Sequence, residues 1–265
     1  MISPKDKILR YYKGSELEET AVRCVDLAEQ ARKTRRFRVS PFLNEAEQEL
    51  ARTVAANYED INVEFDGGYH GAERQRAIFV HPDFRGRLEG VAGILALRAQ
   101  WKDSSRRVGH RDALGSLLGC GIDRSCAGDI LVSENSARFI LDRKVAEAVK
   151  TGLLYIGGVK VTAVEEDDLA NIIPREERVK EIKATVASLR IDAIAAAGFG
   201  MSRTRAAGDI EAEKVQLNWQ TVKNASQAVR QGDVISFRGR GRVEVESVGG
   251  QTKKNRTVVA LKRYI

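Results

Sequence analysis

The stretch from Arg190 to Arg242, RIDAIAAAGFGMSRTRAAGDIEAEKVQLNWQTVKNASQAVRQGDVISFRGRGR, constrains the fold more than any other part of this chain. Two short helical patterns are followed by a strand ending at Asn218-Trp219, a polar loop, and a second strand leaving through Arg238, Arg240 and Arg242. Ile191, Ile194 and Ala195 give the first helix an apolar face, Gly198 supplies a left-handed stop, and Ala206, Ala207 and Ile210 recur at helical spacing in the second. In the first strand Val215, Leu217 and Trp219 alternate with Lys214, Gln216 and Asn218. In the second, Ile235 and Phe237 take one parity, and Ser236, Arg238, Arg240 and Arg242 take the other.

The second helix starts oddly. Ser202 is a good N-cap, yet Arg203 and Arg205 follow in the first turn, where the helix dipole is positive and each cation costs roughly 0.3 to 1 kcal/mol. Cations held against a dipole imply an anion, and backbone N–H groups at a helix start already form half of a phosphate site. Arg190, Lys214, Lys223 and the Arg-Gly-Arg-Gly-Arg run extend the same chemistry.

Charge is unevenly placed. From Ile182 to Ile265 there are 15 basic residues against 7 acidic, which leaves 29 against 30 in the rest of a chain of net charge +7. A basic module on a neutral body points to a polyanion partner. Three cysteines, Cys24, Cys120 and Cys126, have no C-x-x-C spacing and read as free thiols of a reducing compartment. His70, His81 and His110 have no metal-ligand spacing, so neither a metal nor another cofactor is expected. The first residues lack an apolar signal core, and no run approaches the roughly 18 apolar residues of a membrane span. The expectation is a cytoplasmic protein without stable membrane insertion, or one of the plastid stroma if a transit peptide has been removed.

Residues 5–57 carry helical periodicity and read as a small bundle, broken at Arg38-Val39-Ser40-Pro41, with Asn44 and Glu47 placed as a capping box. Alternation then begins at Ile61-Asn62-Val63-Glu64-Phe65, followed by mixed strands and helices that suit a ferredoxin-like or RRM-like α+β domain. VAGILALRAQW is ambiguous between helix and strand. The acidic run Glu165-Glu166-Asp167-Asp168 and the segment from Ile172 to Arg178 read as a surface linker. The expected organisation is a helical region at 1–60, an RRM-like domain at 61–170, a linker at 171–181 and a basic RNA-binding domain with C-terminal strands at 182–265.

Catalytic motifs fail on inspection. His110-Arg111-Asp112 resembles a kinase catalytic loop, but Leu117 occupies the place of the required Asn and no Gly-rich loop or D-F-G is present. A pseudouridine synthase would need a leucine between Arg and Asp, and a class I tRNA synthetase a paired histidine motif. The triplet reads better as the start of a helix with Leu114, Leu117 and Leu118 on its apolar side. The glycines of Asp66-Gly67-Gly68 read first as a structural turn; as a ligand loop instead, the stretch would offer Tyr69, Arg74 and Arg76 as a second RNA contact by stacking and phosphate pairing.

The order Arg-Ile-Asp, then G-F-G-M-S-R, then V-Q-L-N-W, then G-D-V-I-S-F-R-G-R-G-R resembles the S4 (αL-type) RNA-binding domain. VDLAEQA, FLNEAEQE, GGYHGAERQR and HRDALGSLLGCGIDRSCAGDILV extend the likeness over nearly the whole chain, to the YlmH-type S4 proteins of bacteria and most closely to the photosystem II S4 domain branch of cyanobacteria and plastids. This resemblance implies a non-enzymatic factor, a monomer when free, that binds structured RNA (rRNA or tRNA). It implies association with the large ribosomal subunit and with rescue of obstructed nascent chains. Carried over by position, the RNA-facing residues are Arg190, Ser202, Arg203, Arg205, Lys214, Asn218, Lys223, Arg238, Arg240 and Arg242. Glu213 stands where the family has Gly; a left-handed backbone there costs of order 1 kcal/mol.

Overall fold

A computed structural model describes residues 3–102, 106–173, 179–252 and 254–264. Residues 174–178, in the expected linker, lie outside the described residues. The chain divides into two compact units, Met1–Arg175 and Glu176–Ile265, and its fold class is α+β.

The first unit opens with helices α1 (Pro4–Tyr12) and α2 (Glu18–Thr34), then strand β1 (Phe37–Leu43) and helix α3 (Glu45–Ala56). α3 begins at the capping box foreseen in the sequence: the Asn44 side chain accepts from the Glu47 N–H and the Glu47 carboxylate from the Asn44 N–H. The break expected at 38–41 is instead β1, a sheet-edge strand with a bulge between Val39 and Phe42. An edge strand and a bulge are the places where a proline such as Pro41 can sit in a sheet, and the buried Ser40 hydroxyl accepts from the Ala77 N–H, which lies opposite the bulge.

Strands β2 (Asn62–Asp66) and β3 (Gln75–Val80) join β1 in the order β1-β3-β2. This three-stranded sheet spans the expected boundary at residue 60, since β1 precedes it and β2 and β3 follow it. Along β3, Ala77 and Phe79 pack on the helices, and Ile78 faces the other way.

The middle region consists of β4 (Ile94–Gln100), α4 (His110–Gly119), β5 (Ala127–Val132), β6 (Ser136–Asp142), α5 (Ala146–Gly152), a small hairpin of β7 (Tyr155–Ile156) and β8 (Val159–Lys160), and β9 (Ala163–Asp167). Its antiparallel sheet has the order β5-β6-β4-β9, which with the two intervening helices is the ferredoxin-like topology. The ambiguous apolar run is β4. The acidic run is not linker but the edge strand β9, where Asp167 pairs with Arg138 at 2.6 Å and Glu166 with Lys150 at 2.9 Å.

One face of this sheet, through Leu95, Leu97, Phe139 and Leu141, packs on α4 and α5. The opposite face, where RRMs stack bases, is closed by Phe42 and Ile78 of the N-terminal sheet against Ile94, Ala96 and Ile140. α4 starts at His110 as expected, with Asp112 accepting from the Gly109 N–H at 2.9 Å, but Ala113 is buried and Leu118 is 40% exposed.

The second unit runs β10 (Val179–Val186), α6 (Ile191–Phe199), α7 (Arg203–Glu211), β11 (Val215–Leu217), β12 (Gln220–Thr221), β13 (Val234–Phe237), β14 (Gly241–Gln251) and β15 (Thr257–Tyr264), in a sheet of order β10-β15-β14-β13-β11-β12. α6 is buried almost all round because its residues are small or aliphatic, and Gly198 lets it press on the sheet: a Cβ there would lie 2.8 Å from Val243. The left-handed stop is Gly200 at φ 65°, two residues beyond the expected one. Phe199 meets Phe237 edge to face at 5.2 Å, fixing the helix pair on β13.

Candidate nucleic-acid interface

Ser202 caps α7 as its sequence position requires, its hydroxyl accepting from the Arg205 N–H at 3.3 Å. The anion implied by the misplaced arginines is partly supplied from within. Asp192, only 4% exposed, is gripped by Arg203 (Nε 3.0 Å) and by Arg190 (Nη2 3.0 Å), each contributing a second hydrogen bond to the other carboxylate oxygen. Burial pushes the Asp192 carboxyl up, but the hydrogen bonds and charges of Arg203 and Arg190 outweigh it and hold the group below the usual carboxylate range. Two cations on one carboxylate leave a net positive charge on a fixed fork.

A second group forms around Asp209 of α7. Lys214 bonds it at 2.7 Å, and this bond is the main reason its acidity is raised; Arg205 and Arg240 add to the positive field there. Among the described residues the Arg205 and Arg238 side chains meet no acid, and both are exposed. Arg240 lies over the Phe237 ring at 5.3 Å and Arg242 over the Tyr264 ring at 4.4 Å.

The arginine-glycine run is not a continuous strand. β13 stops at Phe237, which pairs with Gly241, and Arg238-Gly239-Arg240 form the hairpin turn; Arg242 returns on β14 opposite Ser236. Gly239 (φ 79°) and Gly241 (φ 90°) supply the turn geometry, and a Cβ on Gly241 would lie 2.6 Å from the Tyr264 carbonyl. The glycines thus serve the turn first, and the three arginines belong to a hairpin turn and its return strand and not to one strand face.

Three other candidates have partners within the second unit. Asn218 (φ 47°) and Trp219 (φ 62°) form a two-residue hairpin turn, and the Asn218 amide donates to Asp233 at 2.9 Å and accepts from the Val234 N–H at 2.9 Å. Lys223 pairs with Glu213 at 3.0 Å, so the departure from the family glycine covers one of the expected RNA lysines. Glu213 does adopt the left-handed backbone, at φ 58°. The Lys214 and Lys223 side chains are exposed, and ion pairs of this kind are weak enough for a phosphate to displace.

The side chains of the second contact expected at Tyr69, Arg74 and Arg76 all have partners within the first unit. Tyr69 donates its hydroxyl to Asp129 at 2.7 Å. Arg74 donates to the carbonyls of Ala127 and Phe42. Arg76, 8% exposed, reaches the Ser40 and Ala92 carbonyls at 2.7 Å each and Asp142 at 3.0 Å. These side chains hold the two sheets of the first unit together.

Sequence reasoning missed Asp192, Asp209 and Arg263. Arg263 lies on the parity of Val259 and Leu261, 5.5 Å from the Phe199 ring, with a buried Nε that meets no acceptor among the described residues. The alternation of β15 carries that signal.

A helix pair whose second member starts in a cationic turn, set on an antiparallel sheet whose hairpin carries three arginines, defines an S4-domain protein. Family models match as "YlmH, N-terminal" over residues 16–84, "Putative RNA-binding domain in YlmH" over 98–171 and "S4 domain" over 189–235. The chain is 32% identical over 228 residues to the "Ribosome-associated protein quality control protein P2" of Bacillus subtilis (strain 168), covering 86% of this chain and 88% of that one. It therefore belongs to the YlmH family. A solved structure, "Cell division protein ylmH from Streptococcus pneumoniae", shares the fold with a TM-score of 0.50 at 20% identity, over 57% of this chain and 91% of that one. No helix among the described residues is long and apolar enough to cross a membrane, and none of their His, Cys, Asp and Glu residues form a metal-binding group.

Proposed function

We propose that this protein is a non-enzymatic factor, a monomer when free, that binds structured RNA of the large ribosomal subunit, rRNA or tRNA, through its second unit. The observation that carries this reading is the set of exposed Arg205 and Arg238, neither in an ion pair among the described residues, together with the Arg190–Asp192–Arg203 fork and the Lys214–Asp209 pair. The N–H groups of Arg203 and Thr204 in the first turn of α7 have no intramolecular acceptor among the described residues and complete an anion site. The similarity to a ribosome-associated quality control protein of a bacterium supports a ribosome-associated role in the cytoplasm; a place in rescue of obstructed nascent chains, and the plastid stroma as the alternative compartment, rest on the resemblance of the quoted motifs. Membership of the photosystem II S4 branch rests on the resemblance of the quoted motifs.

Arg203 also holds Asp192, so the clean test leaves it alone. Arg205→Glu with Arg238→Glu should lower affinity for deproteinised large-subunit ribosomal RNA by about a hundredfold in filter binding, with an unchanged melting temperature. Wild-type affinity in that variant would refute the reading. A second reading, an RNA-modifying enzyme targeted by its S4 domain, would show itself as a new modified nucleotide by mass spectrometry after incubation with the same RNA.

A further inference from the structure

Although the first unit is neutral overall, its charges are segregated. α2 ends in Arg32, Lys33 and Arg35, and Arg36 leads into β1, which carries Arg38. The other end of the same sheet edge comes round beside them: the His81 N–H donates to the Arg36 carbonyl at 3.1 Å, and Arg35 reaches Asp83 at 3.5 Å. The loop after β3 is pinned here. Phe84 stacks edge to face on Phe37 at 5.3 Å, and Gly86 lies so close to the Phe84 ring that a Cβ would collide with it. Arg85 and Arg87 flank that glycine and are exposed.

The acids in contact with this surface, Asp60 and Asp83, hold Arg32 and Arg35. Lys33, Arg36, Arg38, Arg85 and Arg87 meet no acid among the described residues. Cations at the C-terminus of α2 complement its dipole and need no ligand. That account covers Arg32, Lys33 and Arg35 but not Arg36, Arg38, Arg85 or Arg87, which lie beyond the helix. The residues are arginines with one lysine, the mixture that recognises phosphate oxygens in bidentate fashion.

We propose that this surface, Lys33, Arg36, Arg38, Arg85 and Arg87 around the Phe37–Phe84 stack, is a second RNA-backbone site, separate from that on the S4 domain. It rests on the reading of the protein as an RNA binder. It also accounts for how the first unit touches RNA when the sheet face used by RRMs is closed by Phe42 and Ile78. A rigid Arg-rich edge suits a phosphate backbone; a lipid surface would call for an apolar face beside the cations, which this loop turns inward on Phe37. Two sites on one chain raise affinity for a long RNA through effective concentration.

The test uses the full chain and deproteinised large-subunit ribosomal RNA. Arg36→Glu, Arg85→Glu and Arg87→Glu together should weaken binding by about tenfold or more and make the dependence of log K on log salt shallower by about two to three. Arg85→Ala with Arg87→Ala, both outside the strand ladder, should shift both quantities in the same direction by less. Circular dichroism and melting temperature should match wild type. Wild-type affinity and slope in both folded variants overturn the proposal. Unchanged RNA binding together with lost flotation on phosphatidylserine vesicles also overturns it, in favour of a lipid site. The Arg205→Glu/Arg238→Glu variant run in parallel separates the two readings: its failure to lose RNA refutes the S4 site and leaves this one standing.

Discussion

Arg74-Gln75-Arg76 and Arg203-Thr204-Arg205 are the same Arg-x-Arg pattern with opposite fates. The first pair lies at the start of a strand between two sheets, and its guanidinium groups are taken up by carbonyls of Phe42, Ala127, Ser40 and Ala92 and by Asp142. The second opens a helix at the surface, where Arg203 shares Asp192 with Arg190 and Arg205 projects into water. Spacing alone does not separate a structural clamp from a ligand fork. What separates them is whether the surrounding backbone has carbonyls left over. A bulged edge strand at Ser40-Pro41 leaves acceptors that an arginine must satisfy, and the first turn of a helix leaves donors that repel one.

The comparison can be broken most strongly at Arg76. Arg76→Ala removes the partner of Asp142, whose side chain is 14% exposed, and should destabilise the first unit by about 3 to 5 kcal/mol, read as a large fall in its melting temperature. Intact stability there would mean that Arg76 is no clamp. Arg205→Glu with Arg238→Glu should show the converse, lost RNA binding without lost stability. Asp192→Asn lies between the two. It should cost about 2 kcal/mol at neutral pH through weakened charge-assisted hydrogen bonds.

The folded Asp192 carboxyl is held below its unfolded value of about 3.9, so its contribution is present above that pH and is lost as pH falls through the lower folded value. The difference in unfolding free energy between wild type and D192N should accordingly shrink below about pH 4. A gap that widens on acidification would contradict the assignment. The smallest effect is expected from Glu213→Gly, which relieves the left-handed backbone by up to about 1 kcal/mol and frees Lys223. Its RNA affinity should rise a few-fold; a fall would show that Glu213 is not an obstacle.

Much of the second unit was legible because its signals are local. The Ser202 cap, the helical spacing of Ala206 and Ile210 and the positive φ of Glu213 depend on neighbours within a turn. The pairing of Asp192 with Arg203 spans 11 residues and two helices, and no local pattern announces it. Pro41 looked like a break because its effect on a ladder is the same whether the strand ends or bulges. The acidic run at 165–168 looked like solvated linker because the partners that make it a strand, Arg138 and Lys150, are distant in sequence. The turn at 238–240 was read as strand because alternating arginine and glycine mimics a period of two.

On the function proposed above, the cations of the second unit meet phosphates and those of the inter-sheet seam do not. This contrast is tested most directly by the slope of log K against log salt for large-subunit ribosomal RNA. The account predicts that Arg205→Glu with Arg238→Glu makes that slope shallower by about two, each lost phosphate contact contributing about 0.9. Wild-type slope and affinity in a variant that remains folded would contradict it.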